Sequence, residues 1–501
     1  MRLPLYLTVL TIATAGIVYE LLAGAIATTV LGNSLRQYSL TIGVYLFAMG
    51  LGAYLSKYLK ARLCERFVDL QFATGLIGGS QGVVLFLAYG RSELFAVALY
   101  ATLTLIGTLV GLEIPLLMRV LKEELDFSEL VAKVLAFDYL GSLLGSAVFS
   151  VVLVEMLAMP LERIGLMFGV LNCLTGLLGT WVLAPSIHPT RRLQLRLRGA
   201  FGLAALLCVG LYSTQLRVMG EQGLYGERVI LAQHSAHQRI VLTSDGTHLQ
   251  MFLDGNLQWS SSDEYRYHEA LVHPALALHP QAKRALVLGG GDGLAVRELR
   301  RYAHLQFIQL VDLDPAVTRI ARQVPAVAAL NGQAFQDPRV HVVHDDAMVF
   351  LREFEGEPFD VIFADFPDPN NYALGKLYTT HFYELVRQAM AERAVLAVQS
   401  TSPLYARESY WCIEHSMRAA GLFTAPYHVP VPSFGEWGYV LAQAQTFAPP
   451  TQLAVENLRY LNDGALPSLF TFAADIGPVD TAVNRLHHQT LVRYYNRAEF
   501  P

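Results

Sequence analysis

The chain has 501 residues, 53% of them hydrophobic and 16% charged, with a formal net charge of −5 and a mean hydropathy of +0.36. It is too long for one ordinary domain and too apolar for an ordinary soluble protein, and its charge leaves no basic footprint for nucleic acid. The four cysteines (Cys64, Cys173, Cys208 and Cys412) are scattered and suggest neither a metal site nor a disulfide framework.

The hydrophobic residues concentrate before about residue 218. Apolar stretches near 3–27, 38–59, 67–89, 94–118, 131–156, 161–184 and 199–218 approach the roughly 20 residues that cross a bilayer. They predict a transmembrane helical domain over 1–218 with about seven spans, the last being short and rich in Ala and Gly. The first run, Leu3 to Leu31, is too long for a cleavable signal.

Basic residues sort by loop. Lys57, Lys60, Arg62 and Arg66 follow the second span, Arg119, Lys122 and Lys133 follow the fourth, and Arg191, Arg192, Arg196 and Arg198 precede the last. The alternate loops hold little besides Arg36, Arg91 and Arg163. The positive-inside rule then places the N-terminus in the cytoplasm. Seven complete spans would put the second half outside, whereas the glycine-rich motif described below favours the cytosol. Either the seventh segment does not cross, or the charge rule misleads, or the catalytic half is external. The expectation is a multi-pass protein of the cell (inner) membrane, in contact with the lipid bilayer, with a cytoplasmic catalytic domain.

Glu20, Glu113, Asp138 and Glu155 fall within or near the spans, where ionisable groups are costly and point to function unless they face the bundle interior. Gly141-x-x-x-Gly145 and Ser142-x-x-x-Ser146 put small residues on one helix face for close packing.

From Arg228 the pattern changes to short alternating runs with turns at Ser244-Asp245-Gly246 and Asp254-Gly255-Asn256, a small antiparallel β-hairpin domain over 225–275. Strands near 285–289, 307–311, 340–344, 359–364 and 394–399 then alternate with helices, predicting a doubly wound α/β (Rossmann-like, methyltransferase-type) domain over 280–450. Residues 451–501 carry no motif and are expected as a helical tail.

The chemistry centres on Ala-Leu-Val-Leu-Gly-Gly-Gly-Asp-Gly at Ala285–Gly293, a buried strand feeding a glycine turn and a helix over Leu294–Tyr302. A second strand ends at Asp312, about 20 residues on, where ribose hydroxyls are bound in adenosine sites. Asp292 inside the turn would repel a phosphate, so the ligand there should be adenosine-like with a cationic end. Two more strand ends carry Asp345-Asp346 and Asp365, and a Pro-bracketed loop returns Asp368 three residues later. Paired carboxylates suit a cationic amine, one of them taking its proton as it becomes a nucleophile. His234, His237, His341 and His344 are expected to be incidental. Pro432-Ser433-Phe434-Gly435-Glu436-Trp437-Gly438 offers Glu436 and Trp437 as a wall for a polyamine pocket, or an ordinary loop before the last strand.

Gln238, Asp254-Gly255-Asn256-Leu257-Gln258, Asp263-Glu264, Tyr267-His268-Glu269, Gly289-Gly290-Gly291-Asp292-Gly293, Asp337-Pro338-Arg339-Val340, Asp365-x-x-Asp368-Pro369 and Leu377-Tyr378-x-x-x-Phe382-Tyr383 together resemble the spermidine synthase (polyamine aminopropyltransferase) family in its bacterial integral-membrane form. Tyr19-Glu20 and Asp138-Tyr139-x-Gly141 extend the likeness into the spans. The resemblance implies transfer of an aminopropyl group from decarboxylated S-adenosylmethionine to putrescine, releasing methylthioadenosine. It implies Asp365 as the base and Asp368 as the holder of the diamine, with Tyr267 lining the acceptor pocket. On the donor side it implies Asp292 on the aminopropyl amine, Asp312 on the ribose and Asp346 on the adenine amino group, completed by Gln238 and His268. Leu294, Asp312, Asp345 and Phe366-Pro367 depart from the usual family residues. A sulfonium is already a good leaving group, so no metal and no resident cofactor are expected; a homo-oligomer is. Two other classes stay open: a methyltransferase on the same fold, and a non-enzymatic polyamine sensor or transporter.

Overall fold

The computed structural model describes residues 2–31, 34–88, 92–121, 127–157, 159–235 and 237–498; Arg91 and Lys122, counted above among the loop cations, lie outside them. The chain divides into two compact units, Met1–Ala236 and His237–Pro501.

The first unit is a helical bundle: α1 (Arg2–Leu31), α2 (Ser34–Leu55), α3 (Leu63–Ala88), α4 (Ser92–Leu121), α5 (Phe127–Ala147), α6 (Leu161–Val182) and α7 (Pro189–Tyr225). Among the described residues seven helices are long and apolar enough to cross a membrane, and α1 to α6 are apolar nearly all round. α5 continues as a π-helical turn over Val148–Met156. α7 is not the short segment expected from sequence but a helix of 37 residues, because its Arg-rich first turns are good helix formers despite their polarity. The small residues of α5 do allow close approach. A Cβ at Gly141 would lie 2.5 Å from the Leu10 carbonyl oxygen of α1, and one at Gly145 would lie 2.5 Å from Ile17 Cγ2. Strand β1 (Arg228–His234) ends this unit.

The second unit opens with the antiparallel strands β2 (Arg239–Ser244), β3 (Leu249–Leu253) and β4 (Asn256–Ser260), joined at the two expected turns. Helix α8 (Glu264–Leu278) leads into β5 (Arg284–Gly289), α9 (Leu294–Leu299), β6 (Phe307–Asp312), α10 (Pro315–Gln323), α11 (Pro325–Leu330), β7 (Val340–His344), α12 (Ala347–Arg352) and β8 (Phe359–Asp365). Then come α13 (Tyr372–Gly375), α14 (Thr380–Ala389), β9 (Met390–Gln399), α15 (Arg407–Ala419), β10 (Phe423–Val431), β11 (Gly435–Gln443) and α16 (Thr490–Tyr495).

The seven-stranded sheet has the order β10-β11-β9-β8-β5-β6-β7, parallel from β9 to β7 with an antiparallel hairpin at one edge. Its parallel strands are runs such as Leu286-Val287-Leu288 and Val361-Ile362-Phe363, buried on both faces as a covered parallel sheet requires. Alternate residues pack to opposite sides: Val287, Val361 and Phe363 with α8 and α9, Leu286, Leu288 and Ile362 with α14 and α15. The chain reverses its winding between β5 and β8, and the crevice beyond the carboxyl ends of such strands is where ligands bind.

Residues 451–501 are not the expected helical tail. Apart from a short 3₁₀ turn at Leu466–Phe470 and α16, the described part is irregular. Pro449, Pro450, Pro467 and Pro478 interrupt any helix there, and side chains of the sheet domain hold the backbone instead. Trp411 donates to the Ile476 carbonyl (3.1 Å) and Arg407 to that of Gly477 (2.8 Å).

Candidate active site

The glycine turn is shaped by the carboxylates beside it. Gly289 pairs with Asp365 across β5 and β8; its φ is +81°, and a Cβ there would stand 2.2 Å from the Asp365 carbonyl oxygen. Two residues on, the Gly291 N–H donates to Asp312 Oδ2 at 2.9 Å, and a Cβ would lie 2.5 Å from that oxygen. Glycine is required at both places, since any side chain would push the turn off the acids. Asp312 Oδ1 accepts from the Asp314 N–H (2.8 Å), and Asp292 accepts from the Leu294 N–H (2.9 Å).

Helix α8 supplies the opposite wall. The Tyr267 hydroxyl donates to Asp365 Oδ1 at 2.6 Å. His268 Nδ1 lies 2.8 Å from the Glu264 carbonyl and 3.0 Å from its Oε2. Glu264 in turn accepts from Arg297 at both oxygens (2.8 and 2.9 Å), the bidentate geometry that suits Arg. Burial pulls the His268 imidazole toward neutrality, but its hydrogen bond to Glu264 and the charges of Asp292 and Asp365 carry it above its ordinary value. Burial pushes Asp292 and Asp312 up to about 6; His268 opposes it at Asp292, and the two backbone N–H groups oppose it at Asp312. Burial also lifts Asp365, against His268 and the Tyr267 hydrogen bond. Asp292, Asp312 and Asp365 thus share one crevice with His268.

Asp368 is held by residues that sequence reasoning did not single out. Gln399 Nε2 donates to Oδ1 (2.7 Å), while Thr401 Oγ1 (3.0 Å) and the Tyr495 hydroxyl (2.9 Å) donate to Oδ2. Tyr378 lies 3.1 Å from both the Pro367 carbonyl and Gln399 Oε1. Burial still raises Asp368, with its three donors opposing. Thr401 has a φ of +62°, a strained conformation for a β-branched residue of the kind that collects at functional sites. Gln399 and Thr401 had a readable signal, being polar residues at the carboxyl end of a buried strand. Tyr495 had none. Replacing Tyr495 with Phe removes one charge-assisted bond worth about 1.5–3 kcal/mol; the acceptor KM should rise roughly tenfold with kcat little changed, as steady-state kinetics would show.

Other expected residues stand apart from these acids. Gln238 reaches the edge of the group, donating to Asp314 Oδ2 at 3.0 Å. Asp346 caps α12 through Oδ1 and pairs its Oδ2 with Lys376 Nζ at 2.5 Å. Glu436 and Trp437 do not form one wall. Strand alternation sends them to opposite faces of β11: Trp437 packs beside Phe434 (centroids 4.8 Å apart) and Tyr267 (6.5 Å), whereas Glu436 binds His428 at 2.5 Å. His344 bonds Thr318 (2.8 Å), and His341 stacks on Phe307 (4.7 Å).

The arrangement is a set of buried acids, Asp292, Asp312 and Asp365, with a further buried carboxylate, Asp368, held by Gln399, Thr401 and Tyr495. The spermine/spermidine synthase domain family matches residues 264–452. The polyamine aminopropyltransferase of Leptospira interrogans is 45% identical over 99% of this chain and 99% of its own length. Polyamine aminopropyltransferase 2 of Ralstonia nicotianae is 44% identical over 98% and 97%. A crystal structure of spermidine synthase in complex with the transition state analogue AdoDATO is 28% identical, covering 49% of this chain and 86% of its own, with a TM-score of 0.45. The chain therefore belongs to the polyamine aminopropyltransferase (spermidine synthase) family of transferases.

Proposed function

We propose that the chain transfers the aminopropyl group of decarboxylated S-adenosylmethionine to putrescine, giving spermidine and methylthioadenosine. The observation that carries this reading is the convergence of Asp292, Asp312 and Asp365 on one crevice, where burial is the largest influence on each of the three acids. Decarboxylation leaves the donor cationic at its sulfonium and at its amine. Asp292 takes the amine of the aminopropyl group, Asp312 the ribose hydroxyls, and Asp368 the distal ammonium of the diamine. Tyr267 occupies one oxygen of Asp365 and leaves the other to receive the proton of the attacking nitrogen. The nitrogen lone pair forms the new C–N bond as the C–S bond breaks, and its electrons neutralise the sulfonium. Alignment of nitrogen, carbon and sulfur supplies much of the rate, and the step uses no resident metal or cofactor.

Full-length protein in detergent, incubated with this donor and a panel of amines, should yield spermidine from putrescine by mass; methyl transfer from ordinary S-adenosylmethionine, or a different favoured amine, would refute the assignment. We further propose that α1 to α6 cross the cell membrane from a cytoplasmic N-terminus, that the Arg-rich α7 does not cross, and that the catalytic unit is therefore cytoplasmic. Protease should then spare the C-terminus in intact cells and cleave it in inverted vesicles.

The raised acids also fix two opposite pH responses. Asp292 and Asp312 titrate near 6 in the folded chain and near 4 in the unfolded one. Their protonated forms favour folding, so that contribution is lost as pH rises through about 6. His268, also raised, acts in the same sense. The ligand-free protein should melt roughly 5 °C higher at pH 5 than at pH 7.5, whereas donor affinity should fall over the same descent because neutral acids no longer attract a cation. Thermal scans and calorimetric titration at the two pH values check both signs.

A further inference from the structure

The helical unit carries a second group of buried acids that aminopropyl transfer does not use. Glu113 of α4 is fully buried and accepts from the Thr74 hydroxyl of α3 at 2.8 Å. Gln71, one turn earlier on α3 and equally buried, brings its amide toward the same carboxylate. The buried phenol of Tyr19 on α1 lies in the field of Glu113 and of Cys173 on α6, beside buried Asn172. Tyr45 of α2 donates to the Gly16 carbonyl at 2.8 Å and lies in the field of Glu20, Glu113 and Asp138. Polar residues from α1 to α6 therefore meet inside an apolar bundle, whereas Glu155 is exposed.

These groups do not satisfy one another. Glu113 Oε2, the Tyr19 hydroxyl, Asn172 Oδ1 and Gln81 Oε1 are buried without a hydrogen-bond partner among the described residues. Each such orphan costs about 1–3 kcal/mol, and polar groups that merely glue helices together pair with one another instead. Among the described residues, no ion pair to Glu20, Glu113 or Asp138 accompanies the burial that dominates their surroundings. Nearby cations are committed elsewhere: Arg119 to the Ser56 carbonyl (3.0 Å), Arg198 to Asp69 (2.8 Å), Lys133 to Glu129. Gln71 and Gln81 are unmet at both amide atoms, so the set holds donors as well as acceptors, but among the four residues just named and these two amides the one charged group is the Glu113 carboxylate. Its complement is a cation with several N–H donors, and a primary ammonium has three.

We propose that the helical unit binds an aliphatic diamine, with one ammonium on Glu113 among the oxygens of Tyr19, Thr74 and Asn172, and the other toward Glu20 and Asp138. The site is separate from the catalytic crevice and does not rest on the transfer reaction. Full-length protein in detergent carrying Asp368→Asn, which removes the carboxylate proposed to hold the diamine in the catalytic unit, is equilibrated with radiolabelled putrescine. About one equivalent should remain bound, displaced by spermidine but not by sodium. Adding Glu113→Gln should weaken this binding at least tenfold. Tyr19→Phe, which keeps the ring packing and removes only the hydroxyl, should weaken it roughly threefold and guards against misfolding of the first variant. No binding in Asp368→Asn, binding unchanged by Glu113→Gln and Tyr19→Phe, or equal displacement by sodium would overturn the proposal. Aminopropyl transfer by the wild-type chain, assayed in parallel, reports separately on the catalytic reading.

Discussion

Asp365→Asn should lower kcat by about 10³-fold, within the range lost when a positioned base is removed, while donor affinity stays within roughly threefold of wild type. The substitution is close to isosteric, and the Tyr267 hydroxyl can still donate to the amide oxygen at the position it now holds against Oδ1. Neither the glycine turn nor the β5–β8 pairing depends on the charge, because they contact the backbone carbonyl of Asp365. What disappears is an acceptor for the proton that a primary ammonium must lose before its nitrogen can attack. A kcat within tenfold of wild type would remove this residue from the proton transfer. The rapid-quench rate of the chemical step, compared with donor binding by calorimetry, separates the two effects.

Asp292→Asn should act on the donor instead. The buried carboxylate faces the amine of the aminopropyl group in the proposed complex, and truncating one member of such a pair costs about 3 kcal/mol, or roughly 100-fold in affinity. Ordinary S-adenosylmethionine adds a carboxylate that Asp292 repels, so its affinity should improve in the same variant. The preference for the decarboxylated form should therefore shrink by at least 100-fold, a change that competition binding of the two donors measures directly. An unchanged preference would place the discrimination elsewhere, with His268 as the nearest charged neighbour.

Much of this site could be read from sequence because it sits at the ends of strands. The run Leu286-Val287-Leu288 before the glycines and Val361-Ile362-Phe363-Ala364 before Asp365 are buried parallel strands by composition alone, and the chain order of a doubly wound sheet brings their ends together. Asp292, Asp312 and Asp365 follow from that register, whereas Tyr267, on α8, is indicated only by the family resemblance. The ligation of Asp368 does not follow from it, since Tyr495 reaches it from 127 residues away in sequence through a segment with no periodicity. Glu436 shows the converse. It is an acid in a promising place, but it pairs with His428 through a contact that local sequence does not announce. The Glu436-Trp437 pair also needed the strand boundary before its two faces could be assigned. In the helical unit the long apolar helices were legible from hydropathy, but the gathering of Glu113 with Tyr19 and Asn172 depends on how separate helices pack.

The segment after β11 gives the enzyme an unusual point of failure. Asn484 donates to the carbonyls of Gly375 (3.0 Å) and Tyr378 (3.1 Å), and Tyr495 closes on Asp368, so a strap without strands of its own buttresses the Asp368 end of the cleft. Such segments open locally at far lower free energy than a seven-stranded sheet melts. Mild heat, or a single protease cut in the strap, should thus silence the enzyme while its spectrum still reports a folded protein.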